Sequence, residues 1–241
     1  MTPPRGESLL RGRKVGHRRQ MRKIGVAPAE GERRAVSGFL HQYRVAASII
    51  LPHMRDGTLK WIRISDPEAG RVDDFQLGSE SRVDADQVKW SQFSGPFTFN
   101  DLVREARPSP SLLRQLADGW TRLRATHNGQ HIVVHLVTNQ TPSVHDKVPA
   151  GSRKAIPPHF AGFLAQAWNS FRESPSGGVP EAWGAAWEVL RRETGLAKDA
   201  FERFAYGCEL ECGWRFPNER TVPARERGML EKDIRELVLL R

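Results

Sequence analysis

Ile132-Val133-Val134-His135-Leu136-Val137 is the stretch that most limits what this chain can fold into. A short, almost continuous apolar run reads as a β-strand buried on both faces, which needs elements packed above and below it. Ahead of it, Ser111–Thr126 carries Leu112, Leu113, Leu116, Trp120 and Leu123 on one helical face. Further upstream, three strand-like segments, Leu59–Ser65, Arg71–Leu77 and Arg82–Trp90, are separated by turn-rich links at Asp66–Gly70 and Gly78–Ser81. Phe39, Tyr43, Ala46, Ala47, Ile50 and Leu51 recur at three- and four-residue spacing, which predicts a helix over 37–52 ending near Pro52. Thr98–Ala106 reads as a short helix with Thr98 as its cap. The expected fold class is therefore α/β, with a central mixed sheet of about four strands flanked by helices.

The charge divides the chain. Of a formal net charge of +9, residues 1–35 hold +7, from ten Lys and Arg against Glu7, Glu30 and Glu32. Their Pro, Gly and Arg content with no sustained periodicity predicts a disordered basic arm, able to touch phosphates without reading sequence. Residues 36–156 form the expected α/β core. Residues 157–241 are expected to be a helical extension, with helices near 158–173, 180–194, 197–207 and 225–240. No apolar run approaches the roughly 20 residues of a membrane span, and the basic N-terminus lacks the apolar core of a secretory signal. Two cysteines, Cys208 and Cys212, are too few for a disulfide framework, so a cytoplasmic location is expected. Their spacing lacks the further ligands of a structural zinc site. There is no phosphate loop of the G-x-x-x-x-G-K-[S/T] type, hence no ATPase.

The chemistry concentrates between Gly70 and Trp90. Asp73-Asp74 stands on the second strand and Gln87-Val88-Lys89 on the third. A carboxylate beside a polar-x-Lys triplet is what a metal-dependent phosphodiesterase uses: the carboxylate and polar side chain hold Mg²⁺ with a backbone carbonyl, and the lysine stands by the scissile phosphate. Strand alternation places Asp74 with Val72 and Gln76, and Asp73 with Phe75 and Leu77. Gln87 and Lys89 share one face. Asp84 and Asp86 share the other with Val88 and read as surface carboxylates.

This order of elements resembles the PD-(D/E)XK, or restriction-endonuclease-like, superfamily. Within it, the chain is similar to the dsDNA endonuclease domains that serve as effectors in bacterial anti-phage systems, among them cyclic-oligonucleotide (CBASS) effectors and the N-terminal nucleases of STAND-type antiviral ATPases. The residues that carry the resemblance are Gly38-Phe39-Leu40-His41-Gln42-Tyr43, Val72-Asp73-Asp74-Phe75, Gln87-Val88-Lys89 and Leu136-Val137-Thr138-Asn139, over roughly residues 36–140. Gln87 departs from the pattern, standing where the family usually has an acid.

The resemblance implies a DNA endonuclease of low sequence specificity. It would use Mg²⁺ or Mn²⁺ to hydrolyse phosphodiester bonds, with double-stranded DNA the favoured substrate. Asp74, Gln87 and the Val88 carbonyl would hold the metal, with Asp73 as a further acceptor. Lys89 would stabilise the developing charge, and Gln42 on the first helix would face the site. Control by homo-oligomerisation or by a regulatory or sensor partner is implied as well. The other reading that the residues allow is a catalytically inactive nuclease fold that binds nucleic acid or docks a partner. Arg63, Arg71, Glu68, Thr138 and Asn139 border the expected site. Trp168, Trp183, Trp187 and Trp214 read as helix packing or a docking face.

Overall fold

In a computed structural model of the chain, the described residues are 28–66, 70, 72, 74–91, 95–105, 108–146 and 159–215, with the side chains of the first helix described from Phe39. Residues Met1–Ser37 and Gly38–Arg241 form two units, and the sheet belongs to the second. Most of the basic arm, the basic middle (Lys147, Arg153 and Lys154) of a polar loop expected over 140–156, and the helix expected at 225–240 lie outside the described residues.

The protein is α/β, with a mixed five-stranded open sheet in the order β1-β2-β3-β4-β5. β1 (Trp61–Ile64), β2 (Phe75–Gly78) and β3 (Arg82–Lys89) form an antiparallel meander. β4 (His131–Thr138) lies parallel to β3, and β5 (Cys208–Cys212) lies parallel to β4. From Ile132 to Thr138 every residue of β4 is buried, which answers the apolar run that defined it.

The fifth strand corrects the sequence expectation of about four strands and a purely helical C-terminal region. Cys208-Glu209-Leu210-Glu211-Cys212 does alternate, with Cys208 and Leu210 in the core. Two glutamates in five residues are poor strand formers, and the segment directly follows a helix, so the alternation passes unnoticed.

Helices cover both faces. α1 (Pro28–Arg55) brings Val45 and Ala46 onto Phe75, Leu77, Val88 and Val137. It starts well before Ser37, and Pro52 sits inside its last turn instead of ending it. The opposite face is the larger core. There α3 (Leu112–Thr126), capped by Ser111, packs Leu113, Leu116, Trp120 and Leu123 against Val83, Ala85, Val134 and Leu136. α2 (Phe99–Val103) starts in a capping box between Thr98 and Asp101. α4 (Phe160–Phe163), a π-helical stretch Leu164–Asn169 and α5 (Ser170–Glu173) run on as one helical segment. α6 (Glu181–Thr194) ends on Gly195 in the left-handed conformation (φ 68°), a position glycine fills at no steric cost. α7 (Lys198–Tyr206) then leads into β5.

Trp168 and Trp183 are buried and Trp187 half-buried in this core. The Trp168 indole N–H donates to the Cys208 carbonyl at 3.0 Å, tying the helices to the new edge strand. No helix among the described residues is long and apolar enough to cross a membrane.

Candidate functional site at the carboxyl end of β3

β3 and β4 run parallel, and the loops leaving such strands at their carboxyl ends are where open α/β sheets gather polar groups. β3 ends at Lys89. Because β2 is antiparallel to it, the residue preceding β2, Asp74, arrives at the same end. The ladder pairs Phe75 with Asp86, so one step further Asp74 faces Gln87.

The geometry is specific. Gln87 Nε2 donates to Asp74 Oδ2 at 2.7 Å, and the Val88 backbone N–H donates to the same oxygen at 2.6 Å. Gln42 Nε2, from α1, donates to Asp74 Oδ1 at 3.0 Å. Three donors from two elements thus converge on one carboxylate, which fixes its orientation. Gln87 is only 4% exposed, so its amide is committed to this contact. Lys89 is exposed, and it makes no hydrogen bond or ion pair to a described residue. It borders a cleft of about 230 Å³ with Gln42, Val88, Trp90, Ser91 and Gln140. A second cleft of about 270 Å³ joins Lys89 to Arg104, Asp101 and Gln115.

Gln42, Asp74, Gln87, Val88 and Lys89 are therefore brought together; strand alternation accounts for Asp74, Gln87 and Lys89, whereas only the resemblance pointed to Gln42. Asp73, Arg71 and Glu68 lie outside the described residues. Arg63 is engaged elsewhere, donating to Asp66 at 3.2 Å. Asn139 clasps the loop after β3: its Oδ1 accepts from Ser91 N at 2.9 Å and its Nδ2 donates to Ser91 O at 2.8 Å. Thr138 is buried, and Gln140 takes the place at the cleft rim. His41 stacks on Trp90 with ring centroids 4.4 Å apart; burial, then the charge of Arg44, lowers its pKa.

A Mg²⁺-type ion fits this donor set in a limited way. One described carboxylate, a neutral amide and room for substrate phosphate correspond to Mg²⁺ held by one or two carboxylates and completed by phosphates. As oriented, Gln87 presents its NH₂ to Asp74. Ligation through its oxygen requires the amide to turn, which gives up the hydrogen bond to Asp74 and leaves two acceptors facing each other unless a cation lies between them.

One expectation fails outright. Asp84 and Asp86 are not surface carboxylates. Asp86 is 1% exposed, and Asp84 is held by Arg82, whose Nε and Nη2 lie 2.9 and 2.6 Å from its Oδ1. Both carboxylates face β4's His135, itself 8% exposed. The His135 ring bridges Asp84 Oδ1 at 2.8 Å (Nε2) and Glu211 Oε1 at 3.0 Å (Nδ1). Burial pulls the His135 pKa down, but the Asp84 and Glu211 hydrogen bonds and the Asp86 charge outweigh it and push it up to about 10. Burial pushes Asp86 up to about 7 against the attraction of His135. In the sequence, the one signal for this cluster is a histidine interrupting the most apolar strand. No family model matches the chain, and neither does any curated protein.

Proposed function

We propose that this protein is a metal-dependent DNA endonuclease whose site is Asp74, Gln87, Val88 and Lys89 with Gln42 in support. The observation that carries the reading is the convergence on Asp74 of Gln87, the Val88 N–H and Gln42, with an uncommitted lysine one residue beyond. Such a convergence is costly to assemble for a surface carboxylate with no task.

In this reading Asp74 anchors a Mg²⁺ or Mn²⁺ ion, with Gln87 and the Val88 carbonyl assisting. When bound, the ion supplies Lewis-acid stabilisation of the charge that builds on the phosphate. Gln42 and the Val88 N–H hold the Asp74 carboxylate in place. Lys89 offers its ammonium to a phosphate oxygen as a point charge at the cleft rim. Cleavage of low sequence specificity is expected of a site that engages phosphates, since phosphate contacts carry no sequence information. The basic segment at residues 1–35 adds phosphate affinity that weakens with salt. Double-stranded DNA is the favoured substrate. Control by self-association or a sensor partner fits a prokaryotic defence effector, since an ungoverned nuclease is toxic to its host.

A second reading rests on the same hydrogen bonds. With its oxygens taken by three donors, Asp74 also works as a latch between α1 and the β2–β3 edge, in a nuclease fold that binds nucleic acid or a partner without cutting. Supercoiled plasmid incubated with the protein in Mg²⁺, Mn²⁺ or EDTA separates the two. Metal-dependent nicking that disappears in Asp74→Ala and Lys89→Ala supports the endonuclease. Salt-sensitive DNA binding without nicking, with or without a candidate partner, supports the binding module.

A further inference from the structure

The opposite face of β3 holds a second group of ionisable side chains that the proposed endonuclease does not use. Asp84 and Asp86 on β3, His135 on β4, and Glu209 and Glu211 on β5 stand on adjacent strands. The ladders place Asp86 beside His135 and His135 beside Glu209. Asp84, Asp86, His135 and Glu211 line a cavity of about 430 Å³ that α1 closes with Ile49 and His53 and that Trp214 borders.

The histidine ring is set like a metal ligand. Its Nε2 is held by Asp84 at 2.8 Å, which fixes the ring, and Nδ1 becomes the outward ligand atom when an incoming cation displaces its proton to solvent. On the Nδ1 side lie Glu211 Oε1 at 3.0 Å and Glu209 Oε2 at 3.6 Å. One ligand atom from each of His135, Glu209 and Glu211 falls within 4.8 Å of the others, the span of a single ion's coordination shell.

Asp86 supplies an independent observation. Its two carboxylate oxygens are buried and have no hydrogen-bond partner, and the residue lines the same cavity. A buried carboxylate without a partner is expensive unless a cation answers it. The neighbouring cations are already engaged. Arg82 is bound to Asp84, and Arg172 Nη2 contacts Glu209 Oε1 at very short range. Those two guanidiniums stand beside four carboxylates, Asp84, Asp86, Glu209 and Glu211, two positive charges short of balance.

We propose that this cluster is a binding site for a divalent transition-metal ion of the Zn²⁺ type, held by His135 Nδ1, Glu211 and Glu209, with Asp84 orienting the ring and Asp86 supplying the balancing charge. Imidazole with carboxylates suits Zn²⁺ over Mg²⁺. The ion would cross-link β4 to β5 beside β3, under α1, a structural role on the sheet face away from Gln87 and Lys89. The inference does not depend on the endonuclease reading.

The test is calorimetric titration of the chelator-treated full chain with Zn²⁺, with thermal melts alongside. The variants are Glu211→Gln, His135→Gln, Asp74→Ala and the double variant Cys208→Ser/Cys212→Ser, each checked by circular dichroism. We expect a saturable site and a melting-temperature rise in the wild type. Glu211→Gln, a half-buried isosteric change, should weaken that site at least 10-fold, and His135→Gln should remove it. Asp74→Ala and the cysteine variant should retain it. Absence of a saturable site in the wild type overturns the proposal. So does a site that survives Glu211→Gln at full affinity, or one that vanishes in Asp74→Ala or in the cysteine variant alone.

Discussion

Gln42 and Asp74 lie 32 residues apart in sequence and 3.0 Å apart in space, joined by a hydrogen bond from the first helix to the edge of the sheet. That contact makes the carboxylate a fixed point. On the endonuclease reading it makes Gln42 a positioning residue. Gln42→Ala should lower plasmid nicking about 10-fold, in keeping with the loss of one supporting hydrogen bond, with the circular dichroism spectrum unchanged. An undiminished rate would remove Gln42 from the site.

Gln87→Glu installs the acid usual in the resembled family, but it sets a second carboxylate where an amide now donates to Asp74 at 2.7 Å. Without metal, the variant should be destabilised by about 1–3 kcal/mol through the lost donor and like-charge contact. Added Mg²⁺ should recover most of that and allow nicking at lower Mg²⁺ than the wild type needs. Melting curves in EDTA and in Mg²⁺ read this directly; a variant whose two melts coincide speaks against a metal between these residues.

Asp86 gives a pH signature in the chelator-treated protein. Its folded pKa is raised from 3.8 to about 7 by burial. A raised pKa contributes stability that is full below the unfolded value and lost as pH climbs through the folded one. Asp86→Asn removes that loss. Its melting temperature should overtake the wild type's between about pH 4 and pH 7 and keep a constant lead above. Parallel curves across that range would show that Asp86 does not titrate there.

Gly78 packs face to face with Trp61 across the β1–β2 ladder. A Cβ at Gly78 would stand 1.9 Å from the Trp61 ring. Gly78→Ala should therefore cost at least about 1–3 kcal/mol by overpacking, visible as a lowered urea midpoint. Coupling with Trp61→Ala, which clears the space, should recover part of the loss.

Much of the described site could be read from spacing alone. Asp74 before an apolar residue and Gln87-Val88-Lys89 at the end of a strand sit where alternation put them, because period-two geometry is local. Gln42 was legible only as a position on a helix, since its contact depends on how that helix crosses the sheet. The Asp84, Asp86 and His135 cluster was hidden for a different reason. Carboxylates alternating with Val83, Ala85 and Gln87 look like a solvent-facing row. What covers them is His135 on β4 and α1 across the same face, with Glu211 beyond on β5, a strand too short and too acidic to be recognised. Non-local burial leaves no mark on the segment it buries.

β3 sends Gln87 and Lys89 to one side and Asp84 and Asp86 to the other, and its hydrogen-bonded alignment with β2 and β4 holds both sets at once. A single residue inserted or deleted in the Ser79–Ser81 turn would barely change the chain's composition. It would nevertheless exchange the two sets, turning the lysine inward and the carboxylates toward the cleft. The length of that three-residue turn is therefore as strict a requirement for the proposed chemistry as the identity of any side chain in the site.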